Sequence, residues 1–142
     1  MKALEGLKVL DLTSALNGPF CTTMLADHGA DVIKFEPPAG EQCRTWGPLD
    51  EKSGESGFFA FLNRNKKGCT LNLKNEKARE MFYELVKDAD AVVENYRPGV
   101  TKKLGVDYET LKKINPRLIW SVWPDLSSSL LRYCCTVHGR NG

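Results

Sequence analysis

The chain has 142 residues, enough for one domain with a real core, and its 42% hydrophobic and 27% charged composition excludes a disordered chain. A net charge of +2 gives no electrostatic case for nucleic acid or a membrane surface. No apolar run is long enough to span a bilayer, and the start MKALEGLKVL lacks the apolar core of a secretory signal, so the cytoplasm is the expected compartment. The five cysteines, Cys21, Cys43, Cys69, Cys134 and Cys135, are odd in number and show no metal-ligand spacing. With only His28 and His138 besides, neither a disulfide framework, nor a metal site, nor a histidine-based catalytic group is expected.

Residues 8–37 read as a β-α-β unit. KVLDL is a buried strand, 13–18 a loop, and Pro19 sits where a first helical turn accepts proline. Phe20, Met24, Leu25 and His28 follow at helical spacing, and Gly29 closes the helix. Residues 31–35 form the second strand, stopped by Pro37 and Pro38. The loop at 13–19 lies where α/β proteins bind ligands, but it has only Gly18 where a dinucleotide fingerprint needs three glycines. The same residues also fit an ordinary βα connection.

Residues 38–56 lack periodicity and form a long loop in which Arg44 could meet phosphate or carboxylate and Trp46 could stack or tuck onto the core. The aromatic segment 57–65 is helical or irregular, and Arg64, Lys66 and Lys67 after it face either phosphates or water. Residues 69–73 alternate as a third strand. The apolar residues Ala78, Met81, Phe82, Leu85, Val86 and Ala89 recur at helical spacing over 76–89, with Asn75 as cap. Residues 91–96 are a fourth strand whose polar end, Glu94 and Asn95, lies at the ligand-docking edge or serves strand-end hydrogen bonds. A helical turn at 100–104, a short helix capped by Asp107, and a fifth strand at 118–123 complete the alternation. The pattern predicts a Rossmann-like, doubly wound, mainly parallel α/β sheet. The remaining residues, with a Ser triplet and a Cys pair, show no periodicity and receive no element.

The blocks LADHGADVIKFEPP, NRNKKGCTLNL and VVENYRPG, in this order, resemble the amino-terminal part of the class III CoA-transferase family, which includes formyl-CoA and carnitine-CoA transferases and a sister branch of α-methylacyl-CoA racemases. The resemblance runs from Leu4 to about Val122. It implies an incomplete CoA-binding domain over 1–122, with acyl-CoA and a carboxylic acid as substrates and a homodimer in the full-length family. In the transferases an aspartate carboxylate attacks the thioester, forming a mixed anhydride and then an aspartyl-CoA thioester. By position, the resemblance places coenzyme contacts at Leu16 and Asn17, at Leu71, Asn72, Leu73 and Lys74, at Asn95, Tyr96 and Arg97, and at Lys103. Pro37 stands where some transferases have arginine, leaving Arg44 as the substitute phosphate contact. The glycine-rich segment and catalytic aspartate expected after 122 do not follow, and Asp125 lies too early to serve. The sequence therefore predicts an atypical tail at 123–142, frameshifted or disordered, and no catalytic residue in this chain. Alternatives are a racemase-like fragment and a non-catalytic nucleotide- or partner-binding domain.

Overall fold

The computed structural model describes residues 2–122 and the backbone of Thr136–His138. Strands β1 (Lys8–Asp11), β2 (Asp31–Glu36), β3 (Lys67–Thr70), β4 (Ala91–Glu94), β5 (Ile119–Val122) and β6 (Thr136–His138) form one sheet in the order β3-β2-β1-β4-β5-β6. The first five are parallel, and β6 joins β5 antiparallel. A strand thus stands within the segment to which the sequence assigned none; Asp125 and the cysteine pair lie outside the described residues. Helices are α1 (Asn17–Asp27), α2 (Gly57–Asn63), α3 (Glu76–Lys87), α4 (Val100–Leu104) and α5 (Tyr108–Ile114). No helix among the described residues is long and apolar enough to cross a membrane.

Alternate residues of β1, β2 and β4 feed two cores, as the two-residue period of a strand requires. Leu10, Phe35, Val92 and Trp120 pack with Phe82 and Val86 of α3 and Leu111 of α5 on one face. Val9, Val32 and Val93 pack with Ala26 and Ala30 on the other, beneath α1. Phe82 and Val86, one turn apart, are fully buried, whereas Met81 and Leu85 on the flank of the same apolar stripe are 63% and 41% exposed. The Asn75 side chain caps α3 by accepting from the Ala78 N–H, as its position predicts.

Two elements depart from the sequence reading for identifiable reasons. The third strand runs over Lys67–Thr70 rather than 69–73, because Asn72 folds back on itself: its side chain accepts from Lys74 N–H and its carbonyl from Asn75 N–H. In α1 only Leu25 of the large apolar residues packs toward the core, while Phe20 and Met24 face outward. Phe20 and Met24 are 44% and 49% exposed, while Gly18, Thr22, Thr23 and Ala26 face the sheet. Small residues let α1 lie close to the strands, with the Thr22 hydroxyl bonded to Asp11 and the Thr23 hydroxyl to the Pro19 carbonyl.

Candidate functional site

The loop from β1 into α1 is held by four side chains, three of them distant in sequence. The Asn95 amide, just past β4, accepts from Ser14 N–H (2.8 Å) and donates to the Ser14 carbonyl (2.7 Å). Lys34 of β2 donates to the Thr13 carbonyl (2.6 Å), and Glu41 accepts from Ala15 N–H (2.6 Å). Asp11 accepts from both Thr13 N–H and the Thr13 hydroxyl. Such templating matters because Ala15 has φ +66°, a left-handed conformation unfavourable for a residue with a side chain. At Gly18 a Cβ would stand 2.5 Å from Thr13 Cβ, so only glycine fits there.

Beneath the loop lies a buried ionic network. Asp11 is wholly buried and pairs with Lys66 Nζ at 3.0 Å. The Pro19 carbonyl, Thr22 Oγ1 and Asn63 Oδ1, at 2.9, 2.9 and 3.1 Å, share the ammonium's remaining two protons. Burial, opposed by the Asp11 charge, holds the Lys66 ammonium below its ordinary pKa of 10.5. Lys34 Nζ lies 3.2 Å from Glu41 Oε2, an ion pair by distance but not aligned as a hydrogen bond. Glu36 at the end of β2 accepts two bonds from Arg44, at 2.7 and 2.8 Å, and these hold its carboxyl below the usual range. The Arg44 guanidinium stacks 3.8 Å from the Phe59 ring centre. Cys43, fully buried, donates to Glu41, and burial pushes its thiol up to about 12.

Beside this network a cleft of about 390 Å³ opens at the carboxyl ends of β1, β2 and β3. Leu12, Phe35, Leu71 and Leu73 supply apolar wall, while Thr13, Ser14, Glu36, Glu41, Asn72, Lys74 and Tyr96 supply polar groups. Burial pushes the Tyr96 hydroxyl up to about 12, so it stays a neutral donor at physiological pH. The pairing of apolar wall with a few polar groups suits an organic ligand bearing charge at one end.

Five of the sequence-derived contact residues line this cleft: Leu71, Asn72, Leu73, Lys74 and Tyr96. Leu16 and Asn17 open α1, whose amino end has no side-chain cap. Arg97 and Lys103 are exposed, adjoining in sequence the cleft residues Tyr96 and Leu104. Asn95 turns to Ser14, and Arg44 to Glu36. The basic cluster after α2 faces carboxylates: Arg64 pairs with Asp27, Lys66 with Asp11 and Lys67 with Asp31. Trp46 lies against Phe58, with ring centres 5.7 Å apart. Sequence reasoning passed over Asp11, Lys34, Glu36 and Glu41. The available signal was a lysine inside the apolar run VIKF, since a charge in a strand buried on both faces requires a partner. No group of three or more metal-ligating side chains occurs among the described residues.

Comparison with known proteins gives a consistent result. The sequence pattern of CoA-transferase family III matches residues 4–122. An acetyl-CoA:oxalate CoA-transferase of Acetobacter aceti is 52% identical over 118 residues, covering 82% of this chain and 30% of that protein. The human succinyl-CoA:glutarate CoA-transferase is 46% identical over 121 residues, 84% of this chain and 27% of that one. A CAIB/BAIF family protein from Brucella suis superimposes with a TM-score of 0.80 at 44% identity, over 85% of this chain and 33% of that structure. The chain therefore spans about a third or less of the length of these relatives.

Proposed function

The chain belongs to CoA-transferase family III, and from that premise we propose that it supplies the coenzyme-binding part of an acyl-CoA:carboxylate CoA-transferase. The observation that carries this reading is the cleft at the carboxyl edge of the sheet, whose wall includes Leu71, Asn72, Leu73, Lys74 and Tyr96. Ligands of open α/β sheets dock at this edge. Coenzyme A joins an adenine and an apolar-edged pantetheine arm to several phosphates, and the cleft offers apolar wall beside the Lys74 ammonium. Arg97 and Lys103, exposed after β4 and on α4, give cations for phosphates at the rim. The uncapped amino end of α1, with Leu16 and Asn17, presents backbone N–H groups of the kind that donate to phosphate oxygens. Arg44 has a different part: its fork is committed to Glu36, and it steadies the wall rather than the ligand.

In this reading the chain binds acyl-CoA and assigns no residue to the nucleophilic carboxylate of thioester exchange. The outward apolar residues of α1 fit a homodimeric arrangement. The test is calorimetric titration with coenzyme A, followed by an assay of CoA exchange between two carboxylic acids. Saturable binding that weakens about tenfold in a Lys74→Ala, Arg97→Ala double variant, without exchange, is the expected result. Absence of binding at millimolar coenzyme, or affinity indifferent to both cations, overturns the proposal.

A further inference from the structure

Glu41 occupies an unusual position: it forms part of the cleft wall and at the same time bonds to a loop 26 residues earlier. Its Oε1 accepts the Ala15 N–H at 2.6 Å and the Cys43 thiol at 2.9 Å. Its Oε2 faces Lys34 Nζ at 3.2 Å, and that same ammonium holds the Thr13 carbonyl at 2.6 Å. The buried Glu41–Lys34 pair therefore grips the loop on both sides of Ser14. Its own backbone N–H is fixed by Glu36 at 3.0 Å. Ala15, at φ +66°, is the residue of this loop least able to keep its conformation unaided.

Resting on the coenzyme-binding reading above, we infer that Glu41 is a positioning residue. It acts through Ala15 to hold the left-handed turn that follows the cleft residues Thr13 and Ser14 and leads into α1, and coenzyme affinity depends on that grip. A ligand contact by Glu41 itself is not required, because an anionic carboxylate would repel phosphate. Its hydrogen bond and its ion pair have separable effects. Glu41→Gln keeps an acceptor oxygen for Ala15 while removing the charge opposite Lys34; Glu41→Ala removes both.

The experiment follows Ala15 amide hydrogen exchange, coenzyme A affinity by calorimetry, and melting temperature in the 142-residue chain and both variants. Both variants are expected to melt lower, since each strips Lys34 of its counter-charge. Glu41→Ala is expected to speed Ala15 exchange and weaken coenzyme binding, each about tenfold, while Glu41→Gln stays within about threefold of wild type in both. A Glu41→Ala chain with wild-type exchange and affinity overturns the inference, as does a Glu41→Gln chain as impaired as Glu41→Ala. Should Glu41→Ala not fold, Glu41→Asp takes its place: its carboxylate keeps a charge for Lys34 but is one methylene short of the Ala15 N–H, so Ala15 exchange faster than wild type supports the grip and wild-type protection refutes it. If wild-type chain binds no coenzyme, the proposed function falls, and the exchange comparison alone still decides the grip on Ala15.

Discussion

Replacing Lys66 by methionine tests whether the buried pair beneath the loop is held together as the geometry implies. Asp11 has no solvent exposure, and Lys66 is its sole cationic contact within ion-pair distance among the described residues. Removing the ammonium strands a buried carboxylate and also deprives the Pro19 carbonyl and Asn63 of a donor. Breaking a buried pair from one side costs about 3–5 kcal/mol. Against a domain stability of roughly 5–15 kcal/mol, that is a melting point lower by roughly 10–20 °C. Removing both charges is a different matter. Burial already outweighs the Asp11 charge in holding the Lys66 ammonium below its ordinary range, so the pair itself is not a large net source of stability. In an Asp11→Asn, Lys66→Met chain the amide oxygen can still accept from Thr13 N–H and its hydroxyl. The amide nitrogen can donate to Thr22 Oγ1, whose own proton turns to the Pro19 carbonyl, 3.1 Å away. The double variant is expected to recover to within about 2 kcal/mol of wild type. Urea denaturation of all four members of the cycle measures this. A Lys66→Met loss below about 1 kcal/mol, or a double variant no more stable than Lys66→Met, refutes the reasoning.

Three further outcomes follow from named contacts. Glu94 is 5% exposed, and burial raises its carboxyl above 4.5. The folded state then binds more protons than the unfolded between 4.5 and that raised value, so this group's contribution to stability falls as pH rises through the window. Glu94→Gln, which keeps an acceptor for Tyr96 N–H, is expected to melt higher than wild type at pH 7 and level with it near pH 4; a variant less stable at pH 7 contradicts this. Gly18→Ala forces a methyl to within 2.6 Å of two Thr13 carbons, and overpacking of this kind costs about 1–3 kcal/mol. Calorimetry should show a lower melting point together with weakened coenzyme binding, and an unchanged protein refutes the close approach. Leu16, Phe20 and Met24 expose an apolar strip on α1, extended by Phe61 stacked on Phe20. Sedimentation should show concentration-dependent association that Phe20→Asp, Met24→Lys abolishes; a monomer at all concentrations counts against that face as an interface.

Much of the fold was legible because it rests on local signals. β-branched runs between proline and glycine stops located four of the five parallel strands to within two residues, and the 3.6-residue period located α3 to its cap. What misled was the assumption that large apolar side chains mark the buried face. In α1 this fails for Phe20 and Met24, since the buried side of the helix is made largely by Gly18, Thr22, Thr23 and Ala26, and periodicity of size alone cannot reveal that. Likewise the alternation in CTLNL was real, but Asn72 competed for the backbone with its own side chain, and the strand ended early.

The site was legible in a different way. The cleft residues 71–74 and Tyr96 came from resemblance to a family, and the structure brings them to one wall. What the resemblance did not supply was the reason that wall has its shape. Thr13, Ser14 and Ala15 contain little that dictates a turn, and a residue at φ +66° without glycine would ordinarily argue against one. The turn exists because Asp11, Lys34, Glu41 and Asn95, from four separate elements, converge on its backbone groups. Charges at the ends of buried strands look in a sequence like ligand contacts. Here their first partner is the loop, and the surface offered to a ligand is the consequence of that commitment.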